Sequence, residues 1–293
     1  IINSIKIDME GKIVKQLTMA DLKNPDNYKL HLVLPDPKSL NNGSDTDGNI
    51  REYYQECIRC IKSWRINGGW LKDIFVIIDY IGESLTQDQK DELISLNKVS
   101  IFSSEDNKKD NSFFDVHYSG KRIRDLNLDG IITIHIDLDM ILLREIPVNF
   151  FSPLIEKDLI IGGYNIEDYE YQRKPLFGNR IFNTNLIITK SKEYSFLDFY
   201  KEMIKEYSSY PDKTDYYIDE TLVEKVLLKQ EFNYSEQTYY EMGEGYTNNL
   251  DALPDIYFWE EHIYRTPTNN VDLKLTFYKV KKYFKQLGQI WIQ

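Results

Sequence analysis

Two carboxylates, Asp137 and Asp139, close the stretch Ile131-Ile-Thr-Ile-His-Ile-Asp-Leu-Asp-Met140, an otherwise dense run of apolar residues. A carboxylate at the tip of a buried segment is costly unless a cation or hydrogen bonds compensate it. The simplest compensating partner is a divalent metal. Oxygen-only ligation suits Mg²⁺ or Mn²⁺, ions that keep positions for water and for the phosphate oxygens of a substrate. The competing reading makes Asp137 or Asp139 a turn cap bonded to backbone amides. That is how the same spacing in Asp45-Thr-Asp47 is read, because it lies in a polar loop.

The segment that carries the two acids opens at Asp129-Gly130 and is rich in β-branched residues, which predicts a strand buried on both faces of a mainly parallel sheet. Side chains at i and i+2 of a strand point the same way, so both acids are expected to face one point where the strand leaves the sheet. Upstream, Ile5 to Val14 alternates around Glu10-Gly11 and reads as a small hairpin. Tyr28 to Leu34 reads as the first strand of the sheet and breaks at Pro35-Asp36-Pro37. A helix from about Ile50 to Trp64 is ended by Gly68-Gly69. A second strand, Asp73 to Asp79, finishes in an acid. An amphipathic helix from Leu85 to Ile94 has Thr86 as its cap, and a third strand spans Val99 to Phe102. This alternation implies right-handed crossovers and a Rossmann-type parallel sheet flanked by helices.

The chain has 293 residues, 42% of them hydrophobic, enough for a large core. Its 36 basic and 47 acidic residues leave a net charge of −11, which argues against nucleic acid as a partner. No apolar run approaches membrane-spanning length. A cytoplasmic protein is expected, with the start at Ile1 leaving any earlier segment open. Cys57 and Cys60 read as ordinary helix-face thiols. The basic, amphipathic tail Lys279 to Leu287 is expected to dock as a helix, with contact to an anionic membrane surface as the alternative. Neither Gly-x-Gly-x-x-Gly nor Gly-x-x-x-x-Gly-Lys follows a strand, so a nucleotide would have to be held through a metal and side chains. Candidate cations are Lys121, Arg122 and Arg124 in the short helix expected at Gly120 to Asp125. Asp36 and Asp79 are candidates for accepting hydrogen bonds from a base or ribose, and His31 and His135 read as core residues.

The acidic strand followed by Ile141 to Pro147 resembles the Asp-x-Asp motif of GT-A-fold glycosyltransferases. Three later stretches are similar to those of the glycogenin and lipooligosaccharide galactosyltransferase group. Phe182-Asn-Thr-Asn-Leu-Ile-Ile-Thr189 resembles their Phe-Asn-Ser/Ala-Gly strand, with Asn185 in place of the Gly. Ile218-Asp-Glu-Thr-Leu222 resembles their Asp-Gln-Asp helix start. His262 to Pro267 stands where that group carries a metal-binding His, without the Gly and Lys-Pro-Trp that usually follow. The resemblance spans roughly Tyr28 to Pro267. It implies a GT-A-like catalytic domain over 28–293 after an extension at 1–27, with a nucleotide-binding half at about 28–147, an acceptor half at about 148–270 and a C-terminal helix at about 271–293.

By that resemblance the activity is transfer of a sugar from a nucleoside diphosphate donor, with UDP the expected nucleotide, to a hydroxyl of a glycan or glycoconjugate. Mn²⁺ or Mg²⁺ would be bound by Asp139, Asp137 and His262, with Asp137 touching metal or ribose. Asn183, Asn185, Asp219 and Glu220 would line the sugar pocket. Glu220, or Asp219, would be the general base if the reaction inverts the anomeric centre, and would contact the donor sugar if it retains it. Tyr164, Tyr169, Tyr171, Tyr239, Tyr240, Tyr246, Tyr257 and Trp259 give the second half aromatics able to stack on sugars, core packing being the expectation for any one of them. The loops at Asn165 to Asn179 and Gly243 to Tyr246 are candidate lids. The alternatives are a sugar-nucleotide nucleotidyltransferase, which would want a Gly-rich loop and Lys after the first strand, and a non-catalytic sugar-nucleotide-binding protein of the same fold.

Overall fold

The computed structural model describes residues 5–7, 11, 13–35, 53–104, 120–165, 180–195, 197–211, 218–229, 234–237, 240–241 and 257–260. The small hairpin expected at the N-terminus is present. Strands β1 (Ile5–Ile7) and β2 (Ile13–Lys15) pair antiparallel, Ile5 opposite Lys15. The amide of Lys15 donates to the Glu193 carbonyl at 2.7 Å, which ties the hairpin to the main body. A short helix α1 (Met19–Lys23) follows, opened by a Thr18 and Asp21 capping box.

The central sheet has seven strands. Strands β3 (Tyr28–Pro35), β4 (Phe75–Ile81), β5 (Val99–Ser104) and β6 (Ile132–Ile136) are mutually parallel. Helices α2 (Tyr53–Asn67) and α3 (Gln87–Ile94) lie in the first crossovers, α3 entered through the expected Thr86 cap with Gln89 completing the box. A short helix α4 (120–125) precedes β6. Strands β8 (Leu159–Asn165), β9 (Arg180–Lys190) and β10 (Tyr234–Gln237) complete the order β10-β8-β9-β6-β3-β4-β5. Of these β9 alone runs against its neighbours, antiparallel to both β6 and β8. The expected α/β architecture, a mainly parallel sheet flanked by helices after an N-terminal hairpin, is what the chain adopts. A second, three-stranded sheet joins β7 (Met140–Leu142) to β12 (Phe258–Glu260) and β11 (Tyr240–Glu241).

The two faces of the central sheet are built differently. On one face Leu30, Leu32 and Leu34 of β3, Val76, Ile78 and Tyr80 of β4, and Ile132, Ile134 and Ile136 of β6 pack with Cys57, Cys60, Ile61 and Trp64 of α2. Both cysteines are buried free thiols, as expected of helix-face residues. On the other face, α5 (Phe199–Ser209) and α6 (Ile218–Leu228) cover β8 and β9 through Phe199, Met203, Leu222, Val223 and Val226, around Leu159, Ile161 and Ile187. Toward β3, β4 and β6 that second face turns polar. His31, Asp79, Thr133 and His135 are all buried there, where strand alternation places them opposite the aliphatic set. Among the described residues, no helix is long and apolar enough to cross a membrane.

His31 and His135 sit in register on adjacent strands with their Nδ1 atoms 3.2 Å apart, so one ring nitrogen donates to the other and at least one must be without a proton there. Burial holds His135 at about 4, below its ordinary 6.5. An unfolded chain therefore takes up a proton at a pH where the fold refuses it. His135 adds stability that is complete above about pH 6.5 and fades as pH falls toward 4, by up to about 3 kcal/mol. In urea titrations from pH 7 to pH 4, wild type is expected to lose stability more steeply than His135→Gln. Parallel pH profiles would disprove the assignment.

Candidate functional site

Strand β6 stops at Ile136, one residue before the first acid. Asp137, Leu138 and Asp139 form a turn closed by the Met140 amide donating to the Asp137 carbonyl at 3.2 Å, after which the chain enters β7 in the other sheet. The expected placement of both acids on the strand itself, side by side through i and i+2 alternation, is thus corrected. They occupy the first and third positions of a β-turn that passes the chain between sheets, and Asp is favoured at the first of these. Leu138, at 5% exposure, anchors the turn in the core. Asp139 is at 2% exposure and Asp137 is half-buried, so Asp139 bears the larger desolvation cost.

Strand β9 delivers the next residues. Its antiparallel ladder with β6 runs to Ile136 opposite Leu186, and one step further the Asp137 amide donates to the Asn185 carbonyl at 3.3 Å. Opposite β8 the register breaks at the same place. Ile161 pairs with Ile187, but Gly162 pairs with Asn183, leaving Thr184, Asn185 and Leu186 without a β8 partner. Bulges of this kind bend a strand and re-aim its side chains. This one reverses the alternation: Ile187 and Phe182, five positions apart, pack in the same core cluster, while Leu186 and Ile188 pack in the other.

Helix α6 brings Asp219 and Glu220 in its first turn, where carboxylates interact favourably with the helix dipole. The Thr184 hydroxyl donates to Asp219 Oδ2 at 2.8 Å, and Glu220 is buried one residue on. The bulge therefore meets Asp137 through Asn185 and Asp219 through Thr184, with Asp139 two residues beyond the first and Glu220 one beyond the second. Asn183 lies on the same strand, opposite Gly162. Thr184 was not singled out in the sequence. Its only signal there is a hydroxyl inside a stretch otherwise read as strand.

The basic and acidic candidates from the nucleotide half are placed elsewhere. Asp79 lies inside β4, which continues to Ile81, so it is not the strand-terminal residue expected. It pairs with Val33, two residues beyond the point where His31 pairs with both Ile77 and His135. That sets Asp79 level with the acidic turn and two strands away, about 10 Å. Fully buried, it forms an ion pair with Arg122 of α4. Arg124, also buried, donates to the Lys190 carbonyl at 2.6 Å, approaches Asp198 at 3.5 Å and lies over the Tyr200 ring at 5.2 Å. Helix α4 thereby reaches from β4 to the end of β9. Lys121 pairs with Asp125 one turn along. Asp36, His262, Asp45 and Asp47, the candidate lids at 166–179 and 243–246, and the C-terminal tail lie outside the described residues.

Among the described residues no three His, Cys, Asp or Glu side chains are grouped so as to hold a metal. The two carboxyl-bearing residues of one turn nevertheless supply the kind of oxygen donor by which Mg²⁺ is commonly held, one or two protein carboxylates with substrate phosphates and water filling the remaining positions. In chemical type, the oxygen donors of Asp137 and Asp139 fit a hard divalent ion.

No protein-family model and no curated protein matches the chain. Among solved structures it is similar to a crystal structure of an active-site mutant of LgtC, with a TM-score of 0.49 at 10% identity over 87% of this chain and 95% of that one.

The Asp79 and Arg122 pair makes a prediction that does not depend on activity. Replacing Arg122 by Met leaves a buried carboxylate without its cation and is expected to cost about 3–5 kcal/mol of stability in denaturant titration. Adding Asp79→Leu to the same chain should recover most of that loss. An Arg122→Met chain as stable as wild type would show that Asp79 does not rely on it.

Proposed function

We propose that this protein is a metal-dependent glycosyltransferase, moving a sugar from a nucleoside diphosphate donor, UDP being the expected nucleotide, to a hydroxyl of a glycan or glycoconjugate. The observation that carries the reading is the meeting of the acidic turn with the start of α6 across the β9 bulge. One side of the bulge offers Asp137 and Asp139, the other Asp219 and Glu220. The motif resemblance set out for the sequence supports the same assignment.

In this reading Asp139, the more deeply buried acid, is the principal metal ligand, and Asp137 shares the ion or meets the ribose. His262 is proposed as the third protein ligand. A bound Mn²⁺ or Mg²⁺ would supply Lewis-acid stabilisation of charge developing on the departing diphosphate. Asn183 and Asn185 are proposed to bind the donor sugar. Glu220, with Asp219 beside it, takes the proton of the acceptor hydroxyl if the reaction inverts, and holds the sugar if it retains. Lys121 remains the candidate cation for the diphosphate. Arg124 and Asp79, engaged with Lys190, Asp198 and Arg122, act on the donor through the placement of α4.

Thermal unfolding with a panel of UDP-sugars, with and without Mn²⁺, tests the donor site. At about one hundred times Kd, donor and metal together should stabilise wild type by about 2.7 kcal/mol. Asp139→Ala is expected to lose that stabilisation with little change in its own melting point. Donor binding as tight as wild type in Asp139→Ala would remove the metal assignment. Release of UDP that requires Mn²⁺ supports transfer, pyrophosphate chemistry would point to a nucleotidyltransferase, and binding without turnover to a sugar-nucleotide receptor.

A further inference from the structure

We infer that Thr184 is a positioning residue that sets the α6 carboxylates against the acidic turn, an inference that rests on the glycosyl transfer proposed above. Thr184 and Asn185 are consecutive, and each holds a different half of the site. The Thr184 hydroxyl donates to Asp219 Oδ2 at 2.8 Å, and the Asn185 carbonyl accepts from the Asp137 amide at 3.3 Å. A single peptide link therefore separates the turn that carries Asp139 from the helix that carries Glu220.

Much of the α6 interface is apolar: Ile218, Leu222, Val223, Val226 and Leu227 pack against β9 and α5, with Glu220 and Glu224 buried on the same helix, and apolar burial has no preferred direction. A small rotation of the first turn of α6 would swing Glu220 along with Asp219. A hydrogen bond to a carboxylate is directional and stronger than a neutral one. It is made in the first turn, where the angular position of Glu220 is decided. The bulge is what points Thr184 toward α6. Thr184 is one of the three β9 residues that leave the β8 ladder, and at 5% exposure its hydroxyl is shielded from competing water.

Valine matches threonine in shape and removes only the hydroxyl, so Thr184→Val isolates the bond, while Thr184→Ser keeps it. With Mn²⁺, hydrolysis is followed for UDP-glucose and UDP-galactose. Thr184→Val is expected to lower kcat by about 10- to 100-fold with the donor KM within about threefold of wild type. Thr184→Ser should stay within about threefold in both. In an Asp219→Asn background, Thr184→Val should add less than about threefold, because the bond is already altered. An unchanged kcat in Thr184→Val overturns the inference, as does a serine variant as impaired as valine.

A double-mutant cycle of Thr184→Val and Asp219→Asn in urea unfolding reads the bond without turnover. A coupling of about 5- to 100-fold in the unfolding constant is expected, and coupling under about twofold overturns the bond itself. Strong coupling in a protein that hydrolyses no UDP-sugar would sustain the bond, reject glycosyl transfer, and overturn the catalytic role given to Thr184.

Discussion

The reversal of β9 is the constraint on which the site depends. A strand parallel to β6 would bring its C-terminal end, not its N-terminal end, to the edge where the acidic turn lies. Residues 183–185 would then sit at the far side of the sheet, on the order of 15 Å away. Running antiparallel, β9 meets the turn with Asn185 and continues the β6 ladder by one more bond, from the Asp137 amide. That bond ends the strand, begins the turn and fixes where Leu138 enters the core. The acids are thus stationed by backbone geometry and one buried leucine.

The polar face under α4 works on a different principle. Asp79, His31, Thr133 and His135 lie on one side of three adjacent strands, and burying such groups is costly unless they are satisfied or neutral. Asp79 is met by Arg122, and His135 is held neutral by burial. An aliphatic face would dock a helix in many near-equivalent ways. A buried charge pair penalises any docking that separates it, so α4 has a defined seat. The stability of this face is consequently tied to pH and charge, whereas the α2 face depends on volume and shape.

Much of this order can be read from residue types, because it follows from local periodicity. The runs Tyr28 to Leu34 and Val99 to Phe102 became strands, and the run Asp73 to Asp79 became one that spans Phe75–Ile81. The Thr86 cap and the Gly68-Gly69 stop fell where their backbone requirements put them. Long-range facts were not legible. Strand direction is not encoded in a strand's own pattern, so Phe182 to Thr189 could be recognised as a strand but not as the reversed one. The end of β6 was misplaced for a related reason. Asp137 continues the i and i+2 pattern of Thr133 and His135, and only the β9 partner and the Met140 amide show that the ladder has already ended. Asp79 closes an apolar run in the sequence, yet β4 continues to Ile81, because the carboxylate is met by Arg122 on a helix more than forty residues away. One local signal does mark the irregularity: Gly162-Gly163 inside an apolar strand, the sequence mark of a bulge or close backbone approach.

That bulge also explains how one strand can serve two cores. From Leu186 to Ile188 the side chains alternate between the α2 face and the α6 face, and uninterrupted alternation would carry Phe182 to the same face as Leu186 and Ile188. Phe182 instead joins the α6 core and meets the Tyr234 ring edge-on at a centroid distance of 5.3 Å. Only an odd number of extra residues can produce that inversion, and the register shift supplies three, Thr184 to Leu186. An even insertion would keep the alternation and drive Phe182 toward the opposite core, and no insertion would leave nothing projecting from the ladder to reach α6. The same length requirement that packs Phe182 therefore also exposes a hydroxyl to Asp219 and a carbonyl to Asp137. For this reason the packing of the second core and the assembly of the site cannot be altered separately at this point in the chain.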